Sequence, residues 1–317
     1  MVIMEKKMTI KESFNLGQGW HLMIFAILAM LVTNAGVNDG LNIALPAISE
    51  GSGLNYELCL SMGTVAGFVG VAMMLVIAKF RDRFGGRKVS AALFVIFGLT
   101  FYFLFLRATN IVMYALAQCI MVSCGQGCFY LCTGPMQSDW FPKKRGVVNG
   151  ISTIGANIGT AILAPMMTAL LTLGDYKTSL SVFAIAAVVL GIYAYVKLRD
   201  DPRDAGMYPD NVTKEVYEKE YKHLAEHEEY VSDWTISKML KCKEVWLAAI
   251  VPGFITLGLL GIITQFVKRN TALGLSQGAA VSAMTVAGLI GIIGSYAIGY
   301  LDTKIGTKKA CMIYCGI

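Results

Sequence analysis

The residues best suited to chemistry in this chain lie in its first apolar stretch, at 20–48. Asn34, Asn38 and Asn42 recur every four residues and therefore share one face of a helix, with Asp39 one position round from Asn38. Asp39 is the only acid deep in any apolar stretch. A charged group at membrane depth is costly and persists mainly where it faces a cavity, so the pattern favours a proton-coupling or substrate-cation site. The alternative is a hydrogen-bonded packing group or one that reaches the outer mouth.

Further polar residues fall within later apolar stretches and are candidates for the wall of the same cavity. They are Gln118, Gln126, Tyr130, Asn157 and Gln265. Together with the polar face of the first stretch, they form the predicted pathway for substrate and protons.

Metal and redox chemistry have little support in the sequence. Its eight cysteines include no Cys-x-x-Cys pair. Cys124, Cys128 and Cys132 fall four apart and could offer thiolates to a metal, but cysteine is more often a small apolar packing residue. His223 and His227 match a His-x-x-Glu-His zinc spelling, yet they lie in a Glu/Lys-rich segment without a third ligand. We predict no catalytic residue, no metal and no cofactor.

A charged turn occurs twice, at 78–88 and at 299–309. In the first copy Asp82 lies among five basic residues and can pair with Arg83 or Arg87, which would hold two helix ends together until the helices move. The alternative is that these charges only fix topology. In the second copy, aligning Gly306 on Gly85 places a threonine where the acid should be.

The elements that must position these residues are membrane-spanning helices. Apolar residues make up 56% of the chain and charged residues 15%, and the mean hydropathy is +0.59, unlike a soluble domain. Eight apolar stretches have roughly 20 residues or more, enough at about 1.5 Å per residue to cross about 30 Å of hydrocarbon. They lie at 20–48, 57–79, 89–107, 110–137, 147–173, 178–198, 244–267 and 279–301. The predicted fold class is an all-α membrane protein.

Basic residues predict the orientation of these helices. Of the 27 Lys and Arg residues, only Arg107, Lys177, Lys268 and Arg269 fall on the side opposite the N-terminus. Because cytoplasmic loops are rich in Lys and Arg, we expect a multi-pass plasma-membrane protein with a cytoplasmic N-terminus. The net charge of +6 then reflects topology and contact with anionic lipid, not nucleic-acid binding. The sequence has no phosphate-binding loop for an ATP-driven pump.

An acidic connector at 199–243 separates six stretches from the next two. The predicted organisation is an N-terminal six-helix transmembrane bundle at 1–198, a cytoplasmic connector at 199–243 and an incomplete C-terminal transmembrane bundle at 244–317. Only residues 310–317 follow the last charged turn, too few for a span of about 20 residues. We therefore expect a truncated product; a self-sufficient eight-helix protein is the alternative.

The turn at 78–88 resembles the loop 2–3 signature of the major facilitator superfamily, Gly-x-x-x-Asp-Arg-x-Gly-Arg-Arg/Lys. Ala78 stands where the family has glycine, and the residues that fit are Asp82, Arg83, Gly85, Arg87 and Lys88. The segments at 140–146 and 201–210 are similar to stretches of its oxalate:formate antiporter and monocarboxylate-transporter-like branches. The resemblance implies two related six-helix bundles, of which this chain holds the first bundle and helices 7, 8 and the start of 9. It also implies that the loop residues latch the two halves.

The same resemblance implies a secondary active transporter, a symporter or antiporter working by alternating access, and not an enzyme. Its implied partners are a small solute, most simply an organic anion such as a monocarboxylate or dicarboxylate, and a proton or counter-substrate. These branches typically carry an arginine in helix eight, whereas 279–301 contains no Arg or Lys. A larger bile-acid-like carboxylate and a neutral solute are therefore alternatives, as is a non-transporting remnant or receptor.

Overall fold

The computed structural model describes residues 10–221, 235–263 and 265–316. Within these residues all regular secondary structure is helical, and eight helices are long and apolar enough to cross a membrane. Helices suit a bilayer because they satisfy their own backbone N–H and C=O groups. The prediction of an all-α membrane protein is confirmed. The His-x-x-Glu-His segment at 223–227 lies outside the described residues.

Nine helices precede the connector in the described part of the chain. They are α1 (Ile10–Ser13), α2 (Trp20–Val37), α3 (Leu41–Ser52), α4 (Tyr56–Phe84), α5 (Gly86–Thr100), α6 (Ile111–Gly127), α7 (Gly134–Trp140), α8 (Arg145–Thr172) and α9 (Tyr176–Lys197). A π-helical turn continues α5, and another joins α6 to α7. The side chains of Asn55, Asn110 and Asp175 accept backbone N–H groups at the starts of α4, α6 and α9, so these starts are encoded locally.

The first span is broken where the sequence predicted a continuous stretch at 20–48. The carbonyl oxygen of Asn34 accepts hydrogen bonds from the N–H groups of Asn38, at 3.3 Å, and Gly40, at 3.0 Å. The chain therefore turns tightly between α2 and α3. A side chain at Gly40 would overlap the carbonyl oxygen of Ala35, so the turn requires glycine at this position.

The first six spans pack around α2, which contacts α6, α8 and α9, while α4 packs on α6 and α5 on α9. A buried row of phenylalanines joins α2 to α5, with neighbouring ring centroids 5.2 to 6.3 Å apart. Its members are Phe25, Phe94, Phe97, Phe101 and Phe105. Each such pair stabilises the packing by about 0.5–1.5 kcal/mol beyond the burial of its area.

The remaining described helices are α10 (Lys214–Glu220), α11 (Ile236–Lys241), α12 (Lys243–Ile263), α13 (Phe266–Ala272), α14 (Gln277–Ile305) and α15 (Thr307–Gly316). Helix α14 packs along α8, and α13 and α15 pack on α14. Both α4 and α14 have 29 residues and end at a glycine with φ of 84°, Gly85 and Gly306. The two charged turns thus share one geometry, as their repetition in the sequence predicts. The division of the chain at 198 and 243 stays a prediction.

One end of the helices carries residues 10–19, 79–88, 141–145, 199–221 and 302–309, and we call it the basic face. The other end is the opposite face.

Candidate functional site

Asp39 lies in the break between α2 and α3 and is only 5% exposed. Its Oδ2 atom accepts a hydrogen bond of 2.5 Å from the hydroxyl of Thr160. Thr160 lies near the middle of α8, so the carboxyl group is at mid-depth in the bundle. No pattern in the sequence points to Thr160, because its contact with Asp39 depends on how two distant spans pack.

The Thr160 hydroxyl has two acceptors within reach but a single proton. Besides Asp39, the carbonyl oxygen of Ala156, one helical turn earlier, lies 3.2 Å from Thr160 Oγ1. A hydroxyl can donate one hydrogen bond and accept others. Thr160 can therefore donate to an ionised Asp39, or accept from a protonated Asp39 while it donates to Ala156. Both charge states of the carboxyl group keep a partner.

Asn34 and Asn38 lie beside Asp39 on the same break. The side-chain amide of Asn38 donates to the side-chain oxygen of Asn34 at 2.9 Å, and Asn34 is 7% exposed. Asn42 lies in α3, and its side chain is outside what the structure describes. The structure thus joins Asn34 and Asn38 by a hydrogen bond next to Asp39, but across a helix break and not along one unbroken helix face. The role of these residues in a transport pathway stays a prediction.

The other candidates from the sequence are dispersed. Gln118 is buried and donates to the Tyr114 hydroxyl at 3.4 Å, whereas Tyr130 is 57% exposed. Gln126 is half-buried, and Gln265 is exposed at the start of α13. Their place in a transport pathway stays a prediction.

Asn157 lies in the contact between α8 and α14. Its side-chain amide donates to the Ser295 hydroxyl at 2.7 Å. Toward the opposite face, Thr285 donates to the carbonyl oxygen of Ala161 at 3.0 Å. The two helices are therefore joined by polar contacts near the middle of the bundle.

A cavity of about 510 Å³ lies beside this contact, between α8, α14 and α15. Its polar lining includes Asn149, Thr153, Asn157, Ser295, Asp302 and Tyr314. Asp39 is not in its wall, and among the predicted pathway residues whose side chains the structure describes, only Asn157 lines it.

The predicted latch residues flank the turn between α4 and α5: Asp82 and Arg83 are in the last turn of α4, and Arg87 and Lys88 are in the first turn of α5. Asp82 is 71% exposed at its side chain and approaches Arg81, at 3.5 Å, rather than Arg83 or Arg87. The neighbouring Lys88 is exposed, and Gly85 makes the turn. The latch role of this turn stays a prediction.

A different acid contacts the turn. The Oδ1 atom of Asp200, just after α9, accepts the backbone N–H of Arg87 at 2.7 Å, and the Arg87 guanidinium lies 5.2 Å from the Tyr195 ring centroid. Asp200 therefore caps the start of α5 from the last span of the first six. Sequence analysis missed this residue.

The two segments that resemble one branch of transporters contact each other on the basic face. Trp140 donates its indole N–H to the carbonyl oxygen of Arg199 at 3.1 Å. The backbone N–H of Lys143 donates to Asp210 Oδ2 at 3.0 Å, and Lys144 Nζ donates to the Asp210 carbonyl oxygen at 3.1 Å. Burial raises the pKa of Asp210 above its usual range and lowers the pKa of Lys144. Two sequence signatures far apart in the chain thus form one structural unit.

The cysteines of the fourth span are packing residues. Cys124, Cys128 and Cys132 are at most 5% exposed and belong to the apolar core. Among residues 10–221, 235–263 and 265–316, no group of three or more His, Cys, Asp or Glu side chains is arranged to hold a metal ion.

Comparison with known proteins matches residues 22–317 to the family model of the Major Facilitator Superfamily. The chain is 24% identical over 262 residues to the uncharacterized MFS-type transporter YhjX of Escherichia coli (strain K12), covering 81% of this chain and 60% of that protein. It is 19% identical over 304 residues to the oxalate:formate antiporter of Oxalobacter formigenes, covering 95% and 68%. It is 22% identical over 193 residues to monocarboxylate transporter 12 of Rattus norvegicus, covering 56% and 39%. The matched region thus spans three fifths or less of two of these relatives.

Proposed function

The chain belongs to the Major Facilitator Superfamily, and from that premise we propose that it is a secondary active transporter of a small organic anion, coupled to protons at Asp39. The substrate class is supported by the names of two relatives, an oxalate:formate antiporter and a monocarboxylate transporter. The coupling site is supported by the contacts of Asp39 itself. The proposed orientation places the basic face in the cytoplasm of a plasma-membrane protein.

The observation that carries the proposal is the pair of acceptors around the Thr160 hydroxyl. A coupling carboxyl group must gain and lose a proton at a buried site without leaving an unpaired polar group, which would cost about 1–3 kcal/mol. Rotation of one hydroxyl between Asp39 and the carbonyl oxygen of Ala156 meets this requirement. Asp39 can therefore change its charge with only a small rearrangement around it.

Electrostatics links such a proton to an anionic substrate. An ionised Asp39 repels a carboxylate nearby; at about 6 Å and an effective dielectric constant of about 20, the repulsion is about 3 kcal/mol, or roughly a hundredfold in affinity. Protonation removes this repulsion. The anion therefore binds best when Asp39 is protonated, and this mutual support of proton and anion binding favours proton symport.

Transport by proteoliposomes tests the proposal. The full chain is reconstituted, and uptake of radiolabelled lactate, formate and oxalate is measured with and without an inwardly directed proton gradient. We expect uphill accumulation only with the gradient. Asp39→Asn should abolish accumulation but retain exchange, because the amide is neutral at every pH.

Two further variants test the role of the hydroxyl. Thr160→Val has a similar shape but no donor, and should impair coupling, whereas Thr160→Ser should retain it. Glu57→Gln, which removes an exposed acid on the opposite face, is the matched control. Undiminished accumulation in Asp39→Asn would rule out coupling at this residue, and proton-dependent uptake of another solute without uptake of any of the three anions would rule out the substrate class.

A neutral solute is the second candidate, because residues 277–303 of α14 include no Arg or Lys to pair with a carboxylate. Proton-dependent uptake of a neutral compound, with none of the three anions competing, would favour it.

A further inference from the structure

The N-terminal segment, residues 10–19, contacts α14 on the basic face. The hydroxyl groups of Ser13 and Tyr296 lie 2.9 Å apart, and Ser13 is fully buried. Because Ser13 Oγ also lies 2.6 Å from the carbonyl oxygen of Ile10 and donates to it, Tyr296 is the donor to Ser13. The Phe14 ring stacks on the Tyr296 ring, with centroids 5.1 Å apart. A segment that precedes the first span therefore contacts the last full-length span that the structure describes.

The other side of the segment is fixed to elements of the first six spans. Lys144 Nζ donates to the carbonyl oxygen of Asn15 at 3.0 Å, and the Asn211 side-chain amide donates to Asn15 Oδ1 at 2.8 Å. These bonds join Asn15 both to the turn before α8 and to the connector. Asn15 is thus an anchor between two elements.

The anchor rests on a group of residues that we call the Asp210 cluster, formed by Lys143, Lys144, Asp210, Asn211 and Tyr221, in which Asp210 and Tyr221 are buried. Asp210 is 3% exposed, and its Oδ2 atom accepts the Tyr221 hydroxyl at 2.9 Å. Lys143 Nζ lies 4.3 Å from the centroid of the Tyr221 ring. Asp210 and Asn211 have φ of 57° and 55°, a conformation that asparagine and aspartate tolerate better than other residues with a side chain. Hydrogen bonds, a ring contact and a restricted backbone conformation therefore together fix the position of Asp210.

The ends of α8 and α14 meet beside this segment. The backbone N–H of Val147 donates to the Thr303 hydroxyl at 3.1 Å. A contact that keeps Tyr296 close to the N-terminal segment therefore also keeps these two helix ends together.

We propose that the N-terminal segment is a latch that keeps the basic-face ends of α8 and α14 closed. Asn15 anchors it to the Asp210 cluster, and Ser13 and Phe14 form its releasable contact with Tyr296. Asn15 has two hydrogen bonds to two different elements, whereas the releasable side has one hydroxyl pair and one ring stack with a single helix. Two such contacts bias an equilibrium by on the order of tenfold, which a transport cycle can overcome. The latch rests on the proposed function only in assuming that these ends open.

Thiol labelling tests the releasable contact in the full chain. Ser13→Cys serves as the reporter, with Cys311→Ser to remove an exposed native thiol. We expect the reporter to react slowly with a maleimide and about tenfold faster when Tyr296→Ala is added. Tyr296→Phe, which keeps the ring, should have a smaller effect, and Ile293→Ala, an exposed position on the same helix, should have none. Buried Cys128, followed by mass spectrometry in the same sample, must stay unlabelled as proof of folding.

A second measurement tests closure of the helix ends. Val147→Cys with Thr303→Cys should form a disulfide, detected after cleavage at a protease site inserted within 222–234. Its rate of formation should fall about tenfold with Tyr296→Ala. Equal labelling, or an equal rate of disulfide formation, with and without the tyrosine would overturn the latch. Neither readout requires transport, so failure of proton coupling at Asp39 would leave both results unaffected.

Discussion

Replacing Gly299 with alanine should force α8 and α14 apart. A Cβ atom at residue 299 would overlap the carbonyl oxygen of Gly146 and lie 3.0 Å from the Cα atom of Gly150. Both obstacles are backbone atoms, which cannot rotate away as a side chain can. Because carbon atoms pack at about 3.5–4.0 Å, the helices must separate by roughly half to one ångström. Overpacking of this kind costs about 1–3 kcal/mol.

The apparent melting temperature of the purified full chain measures this cost. A change of 1 kcal/mol shifts the Tm by about 2–4 °C in proteins of about 150–250 residues, so for this longer chain we expect Gly299→Ala to melt at most roughly 2–12 °C lower. Gly294→Ala is the matched control, because nothing lies within 4 Å of a Cβ atom there. Alanine favours helix by up to about 1 kcal/mol over glycine, so the control should melt at the same temperature or higher. Equal stability of the two variants would show that these helix backbones are not in contact.

Two further predictions concern acids on the basic face. Asp200→Ala removes the side-chain acceptor at the start of α5 and should lower the stability by about 1 kcal/mol. Asp82→Ala removes an exposed ion pair with Arg81 and should lower the stability less. A larger loss with Asp82→Ala in thermal unfolding would contradict the role of Asp200 as the cap of α5. Burial raises the pKa of Asp210 above 3.8, so folding favours the protonated form of this carboxyl group more than the unfolded chain does. The packing of residues 199–221 on the rest of the protein should therefore be most stable in acid and should weaken as the pH rises through the raised pKa. Hydrogen exchange of that segment between about pH 4 and 7 measures this trend, which Asp210→Asn should flatten.

Much of the fold could be predicted because membrane spans are local in sequence. Each apolar stretch contains the central part of a spanning helix, although α4 and α14 continue past their stretches to Phe84 and Ile305. Gly146 and Gly150 have the Gly-x-x-x-Gly spacing of helices in close contact. The break at Asn38 and Gly40 was missed, since a four-residue polar spacing fits an unbroken helix equally well. The Asn-Asp-Gly run itself was the available signal, because these residues favour turns.

The candidate site was less predictable because its contacts join residues far apart in the chain. The spacing within the first stretch grouped Asn34 with Asp39, but nothing in the sequence placed Thr160 beside them. The same holds for Asp200, which follows a span directly and accepts the backbone N–H of Arg87 at the start of α5. The periodicity of a single sequence shows which residues share a face of a helix, but it does not show which faces of two helices contact each other.

The Asp210 cluster also bears on the order in which the chain acquires its structure during synthesis. Every residue of the cluster, and Asn15 with it, has been made once Tyr221 is added. Tyr296 follows 75 residues later (296 minus 221), which takes about 4–15 s at about 5–20 residues per second. In that interval the first six spans and the connector can fold, whereas Ser13 and Phe14 have no tyrosine to pack against. A segment that is made before each of these spans is therefore among the last parts of the described chain to reach its final contacts.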